Sequence, residues 1–232
     1  MFLNHRSTQA EYFDEPGRPE LELAEGYRML GEMNRLFGLA ALFKRFIPAW
    51  LGPDRCQNLT FLDIGGGDGS LGTELRKWAA ERGWNWQFTT VDLNARALAL
   101  GSPEGNFILA SAMALPFKSG SYDVVMSSQT VHHLPDDQSV AQFFREAWRV
   151  SRDLVFINDL HRNLLLYSAL WLIVLLWRYP KHFRSDALIS VRKGWRLKEW
   201  RELAHRAGIP QASIRVYGGA RILLHARKSA CI

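Results

Sequence analysis

The spacing of apolar positions changes several times along the chain, and each change predicts a new element. Between Leu21 and Ala41, residues Leu23, Tyr27, Leu30, Asn34 and Phe37 recur at steps of three and four, which predicts one amphipathic helix ahead of a loop rich in Gly, Pro and Asp. A short apolar run at 59–64 then reads as a strand, and the glycine cluster behind it opens a helix-like stretch that ends on Gly83. Further strands are expected at 86–92, 106–110, 122–127 and 153–158. Helices are expected at 95–100 and 136–150, the latter with Val140, Phe143, Phe144 and Ala147 on one face. Near the end, LKEWRELAHRAGI makes a last amphipathic helix stopped by Gly208 and Pro210. Segments 213–217 and 220–226, joined at Gly218-Gly219, read as a closing hairpin.

Strands alternating with helices argue for an α/β fold: a Rossmann-like, doubly wound, mostly parallel seven-stranded sheet closed by an antiparallel hairpin, with an N-terminal helical extension. Ligands of such sheets bind at the carboxyl ends of the strands. The expected division is a helical extension or lid at 1–58 and a main domain at 59–232, interrupted by a hydrophobic cap insertion at about 160–195.

Composition narrows the class. The chain has 232 residues, 47% of them hydrophobic, and a net charge of +6, enough apolar material for a core and too much for a disordered or fibrous chain. Two cysteines, Cys56 and Cys231, exclude a disulfide framework and a cysteine-rich zinc module, and both read as inert. The first twenty residues lack the apolar core of a signal peptide, so a cytoplasmic location is expected. Charge is uneven: residues 9–32 hold seven acids and two arginines, whereas 178–228 hold thirteen Lys/Arg and three acids. With no recognisable nucleic-acid module, that basic stretch reads as solvated helix faces, and nucleic acid is not expected as a partner. The run LLLYSALWLIVLLW, fourteen residues at 164–177, is too short to span a bilayer, which takes about 20 apolar residues. It is expected to pack in the core, to wall an apolar pocket, or to touch a membrane surface.

Asp63-Ile64-Gly65-Gly66-Gly67-Asp68-Gly69 falls where the first strand meets its helix, so backbone N–H groups and a helix N-terminus face any ligand above it. Gly67, Gly69 and Gly72 also satisfy G-x-G-x-x-G, and Asp92 ends the second strand, so a nicotinamide dinucleotide enzyme fits this segment too.

Asp63 two residues ahead of the first glycine, then Ala112-Met113-Ala114-Leu115-Pro116-Phe117 and Ser121-Tyr122-Asp123-Val124-Val125, make the chain resemble the class I S-adenosylmethionine-dependent methyltransferases, especially the small-molecule type with a Leu-Pro-Phe loop and a His-His-Leu after strand four. The resemblance is specific over residues 59–159, and the overall pattern is similar to bacterial methyltransferases of secondary metabolism. It implies S-adenosyl-L-methionine as cofactor, Asp63 at its methionyl amine, Gly65, Gly66, Gly67 and Gly69 beneath it, and Asp92 with Leu93 at the ribose. It also implies that Ser111, Ala112 and Met113 lie around the adenine and that Ser128 lines the pocket. The family usually carries an acid where Ser111 stands; a hydroxyl accepts the adenine amino group more weakly.

Methyl transfer is an in-line displacement that chiefly needs alignment in a dry pocket, with a general base where the acceptor is a hydroxyl. Gln129, His132, His133, Asp159 and His161 follow strands four and five, at the expected ligand edge. Among them His161 is favoured as base because Asp159 is close in sequence. A metal centre built from His132, His133, Asp159 and His161 would need a convergence that spacing does not supply, so no metal is expected. The acceptor expected is an apolar small molecule (aromatic, polyketide-like or isoprenoid), methylated on O or C, since apolar and aromatic residues line such pockets. A non-catalytic S-adenosylmethionine-binding subunit, or an NAD(P)-dependent oxidoreductase, are the alternatives.

Overall fold

The structure, a computed structural model, describes all residues except 1–2, 16, 178, 210 and 229–232. Arg178, Pro210 and Cys231 therefore lie outside the described residues. Seven strands run in the order β3-β2-β1-β4-β5-β7-β6, with eight α-helices among the described residues. Contacts gather the chain into two compact units, one of residues 1–19, 128–145 and 157–226, the other of 20–127, 146–156 and 227–232.

The second of these holds the glycine loop. β1 (Asn58–Ile64) lies parallel between β2 (Asn85–Asp92) and β4 (Tyr122–Ser128), and β2 pairs in parallel with β3 (Asn106–Leu109). Parallel strands covered on both faces read as unbroken apolar runs, and Phe61, Leu62, Ile64, Val124, Val125 and Met126 are all buried. Phe61 stacks on Phe88 at 4.5 Å between centroids and tilts against Trp86 at 4.7 Å, while the Trp86 indole donates to the Cys56 carbonyl at 2.8 Å. Cys56 is buried as well, which pushes its thiol up and leaves little nucleophilic thiolate.

The helix expected at 21–41 is two helices, α1 (Glu20–Leu36) and α2 (Leu39–Leu51). Gly38 sits between them at φ +61, a left-handed conformation that stops α1 and lets the chain restart in a new direction. α2 then buries Phe43 and Phe46 against Phe156 of β5 (Ser151–Leu160). The helices α3 (Ser70–Ala80), α4 (Ala95–Ala99) and α5 (Asp137–Val150) stand where the periodicity puts them.

In the first unit, α6 (Leu164–Leu176) and α7 (Lys181–Lys193) pack on each other, and α8 (Leu197–Arg206) buries Trp200 against Phe144. β6 (Ser213–Tyr217) and β7 (Arg221–Arg227) form the expected antiparallel hairpin, Tyr217 opposite Arg221. α7, inside the expected cap, carries no separate sequence signal: its buried Phe183, Asp186, Ile189, Val191 and Lys193 mix charge into the buried face.

Candidate active site

β1 delivers Asp63 to its carboxyl end, one residue short of the loop. The carboxylate is 1% exposed and neither oxygen has a hydrogen-bond partner. Burial, then the charges of Asp92 and Asp68, push it up to about 7. A buried acid without a donor is costly, so this position awaits a positively charged donor. The backbone around it is shaped for close approach. A Cβ on Gly66 would meet Asp63 Oδ2 at 2.7 Å and Thr90 Cγ2 at 2.8 Å, and Gly67, at φ +55, would drive one into the Tyr27 ring at 2.8 Å. Tyr27, on α1, thus lies against the loop; its sequence signal was only an apolar helical position.

Asp92 ends β2 and binds the loop directly, accepting from the Gly67 N–H at 2.9 Å and, through its other oxygen, from the Asn94 N–H at 2.8 Å. Each oxygen keeps a second lone pair, enough for a ribose hydroxyl. Leu93 beside it is 72% exposed. Ser111 accepts from the Met113 N–H at 3.2 Å, so its hydroxyl turns the loop that carries Ala112 and Met113. Unpartnered Asp63 and the glycine cradle fit S-adenosylmethionine, whose amino group would pair with Asp63 and whose ribose would reach Asp92.

The loop after β4 belongs to the other unit. Ser128 closes β4 and accepts from Asn158 Nδ2 at 2.9 Å. Gln129 adopts φ 56, rare for a residue with a side chain, with its N–H on the Asn158 carbonyl at 2.9 Å. A short 3-10 turn, Val131–His133, follows. Its His132 is buried; the ring Nδ1 lies 2.7 Å from Asp159 Oδ1 and the backbone N–H donates to Asp159 Oδ2 at 2.9 Å. Burial pushes the Asp159 carboxyl up, but the His132 ring and the Leu160 and His132 N–H groups outweigh it and hold it below the usual range. In the neutral ring, an Asp159 oxygen accepting at Nδ1 would place the proton on that nitrogen and leave the lone pair on Nε2.

The sequence argument for His161 is thereby corrected: Asp159 serves His132. His161 Nδ1 instead lies 2.9 Å from Asn163 Nδ2 and 3.3 Å from the Gly219 carbonyl. His133 points elsewhere, to Asp14 Oδ2 at 2.9 Å; burial opposes its charge, yet Asp14 and Glu11 hold it above its ordinary value.

Ligand atoms of Glu11, His132 and His133 lie within 4.8 Å of one another, the one grouping with metal-ligand geometry among the described residues, and it includes neither Asp159 nor His161. Lys193 Nζ stands 3.1 Å from Glu11 Oε1 and 3.5 Å from Asp14 Oδ2, so the chain supplies its own cation there.

Two arginines escaped the sequence reading. Arg6 Nη2 donates to the carbonyls of His132 and Leu134, fixing the turn, while the guanidinium lies 3.6 Å over the Trp195 ring. Arg221, first residue of β7, is buried with Nη1 lacking a partner; burial lowers it to about 10, partly offset by Asp159. Neither stands in a motif, and only the fold brings them to the His132 turn or to Asp159.

Residues 62–155 match the family described as a methyltransferase domain. The chain is 25% identical over 224 residues to the ubiquinone/menaquinone biosynthesis C-methyltransferase UbiE of Bartonella tribocorum, covering 88% of this chain and 84% of that protein. Among solved structures, the plantazolicin methyltransferase BamL, in complex with a triazolic desmethylPZN analog and SAH, superposes with a TM-score of 0.66 at 14% identity, over 93% of this chain and 92% of that one. Human N-acetylserotonin methyltransferase, in complex with SAM, gives 0.61 at 16% identity, over 92% and 57%. These two likenesses establish a common fold.

Proposed function

Starting from a class I S-adenosylmethionine-dependent methyltransferase, we propose that the acceptor is an apolar small molecule, aromatic, polyketide-like or isoprenoid, activated for O- or C-methylation by loss of a proton to His132. The observation that carries this reading is the buried His132–Asp159 pair, which orients a basic Nε2 in a dry setting. Arg221 supports it: a buried guanidinium short of a partner suits an oxygen that turns anionic as its proton leaves. The cofactor supplies an electrophilic methyl group. Asp63 and the glycine loop bind and orient the cofactor; Asp159 orients the His132 ring. An unpaired buried acid suits an ammonium, which S-adenosylmethionine carries and a nicotinamide dinucleotide lacks. The UbiE likeness favours C-methylation of a quinol-type ring as the variant to try first.

Transfer of labelled methyl from S-adenosylmethionine to a panel of phenols, quinols and isoprenoid alcohols tests this. His132→Gln should lower kcat by about 10²- to 10⁴-fold with the affinity for S-adenosylhomocysteine unchanged. Full turnover in a folded His132→Gln variant refutes the base assignment; cofactor binding with no transfer to any acceptor favours a non-catalytic subunit.

A further inference from the structure

α6 is apolar on every side, yet only one stripe of it, Leu166, Leu170 and Val174, is buried. Leu165, Trp171, Leu172, Leu175, Leu176 and Trp177 are between 44% and 69% exposed. Apolar side chains crowded on one exposed helix mark a contact surface. The helix is firmly built for one: Asn163 caps it, its side-chain oxygen accepting from the Leu166 N–H at 2.8 Å, and α7 packs on it.

We propose that this face docks on an anionic phospholipid surface, with α6 lying in the plane of the interface. Thirteen residues at about 1.5 Å each reach roughly 20 Å, short of the roughly 30 Å hydrocarbon core, and no helix among the described residues is long and apolar enough to cross a membrane. Charge selects the occupant. Lys181 and Arg184 open α7 a few residues beyond Trp177. An anionic surface is attracted by these groups, whereas a second copy of the chain docked face to face would bring the same two cations against them. Trp171 and Trp177 supply the amphipathic rings that settle at a membrane–water boundary. Apolar insertion plus basic flanks is the two-part logic of interfacial helices.

The test uses the full chain with phosphatidylglycerol vesicles against phosphatidylcholine vesicles. Co-sedimentation is expected with the former, weakening as salt rises, and brominated phosphatidylglycerol should quench tryptophan emission unless both Trp171 and Trp177 are replaced by Phe. Leu172→Gln with Leu176→Gln should weaken binding by roughly tenfold or more; both sites are exposed, so the melting temperature should hold, and the quenching assay needs no variant that risks the fold. Absence of binding to phosphatidylglycerol at low salt overturns the proposal, as does equal binding to phosphatidylcholine. Self-association without vesicles that the same pair of substitutions abolishes overturns it too, in favour of a second copy. Cofactor affinity is measured in parallel and stands or falls independently.

Discussion

Asp63 is a carboxylate held away from water with no donor on it, and its titration should be visible in the whole protein. Its value of about 7 stands above the ordinary 3.8, so the folded, cofactor-free state holds this proton more tightly than the unfolded chain does. The contribution to stability is therefore complete below about pH 4 and is lost as pH rises through about 7, to the extent of roughly 4 kcal/mol. Thermal melts across this window should show that slope in the wild type and lose it in Asp63→Asn. Binding of an ammonium-bearing cofactor requires the ionised form, so affinity should weaken as pH falls below about 7, and Asp63→Asn should cost tenfold or more by calorimetry. This residue was legible in sequence because its partners are local: acid, glycines and Asp92 fall within thirty positions on one strand–loop–helix–strand unit. The His132–Asp159 pairing was not, because both follow strands and only the folded backbone shows which ring the carboxylate meets. Proximity along the chain pointed to His161, two positions from Asp159, and geometry chose His132, twenty-seven positions away.

At the scale of elements, α6 shows why apolarity alone cannot assign a face. Apart from Ser168 its positions give the sequence no polar face to set against an apolar one, and the stripe that is buried emerges only from packing. Leu170→Ala should therefore destabilise by about 2 to 5 kcal/mol, the usual cost of a vacated core site, read as a lowered urea midpoint, whereas Leu172→Gln should leave the midpoint within about 0.5 kcal/mol of wild type. The two adjacent outcomes would separate structural from exposed positions on one helix. Periodicity located α3, α5 and α8 well, since each has one apolar face and a polar remainder. It merged α1 with α2 because the apolar spacing continues past Phe37 while the backbone turns at Gly38, and it passed over α7 because Asp186 and Lys193 are buried by partners from the N-terminal segment, Tyr12 and Glu11, far off in sequence.

For the whole molecule, the mostly parallel sheet with its closing hairpin followed from the alternation of strands and helices, while its strand order came only from the fold; the function class followed from Asp63 and the glycine loop together with the Leu-Pro-Phe stretch. S-adenosylhomocysteine should raise the melting temperature in proportion to the logarithm of its excess over Kd, about 2.7 kcal/mol at a hundredfold excess, and NAD should leave it unchanged. One amide group has a further consequence. Asn163 caps α6 through its oxygen while its nitrogen reaches His161 Nδ1, the His161 carbonyl and the Gly219 carbonyl of the β6–β7 turn. The start of the apolar helix and the surroundings of an imidazole thus share a single side chain. Fraying of the first turn of α6 releases the Asn163 oxygen from the Leu166 N–H, so the ¹⁵N resonances of the adjacent His161 ring should serve as an internal gauge of helix order, readable without any acceptor in hand.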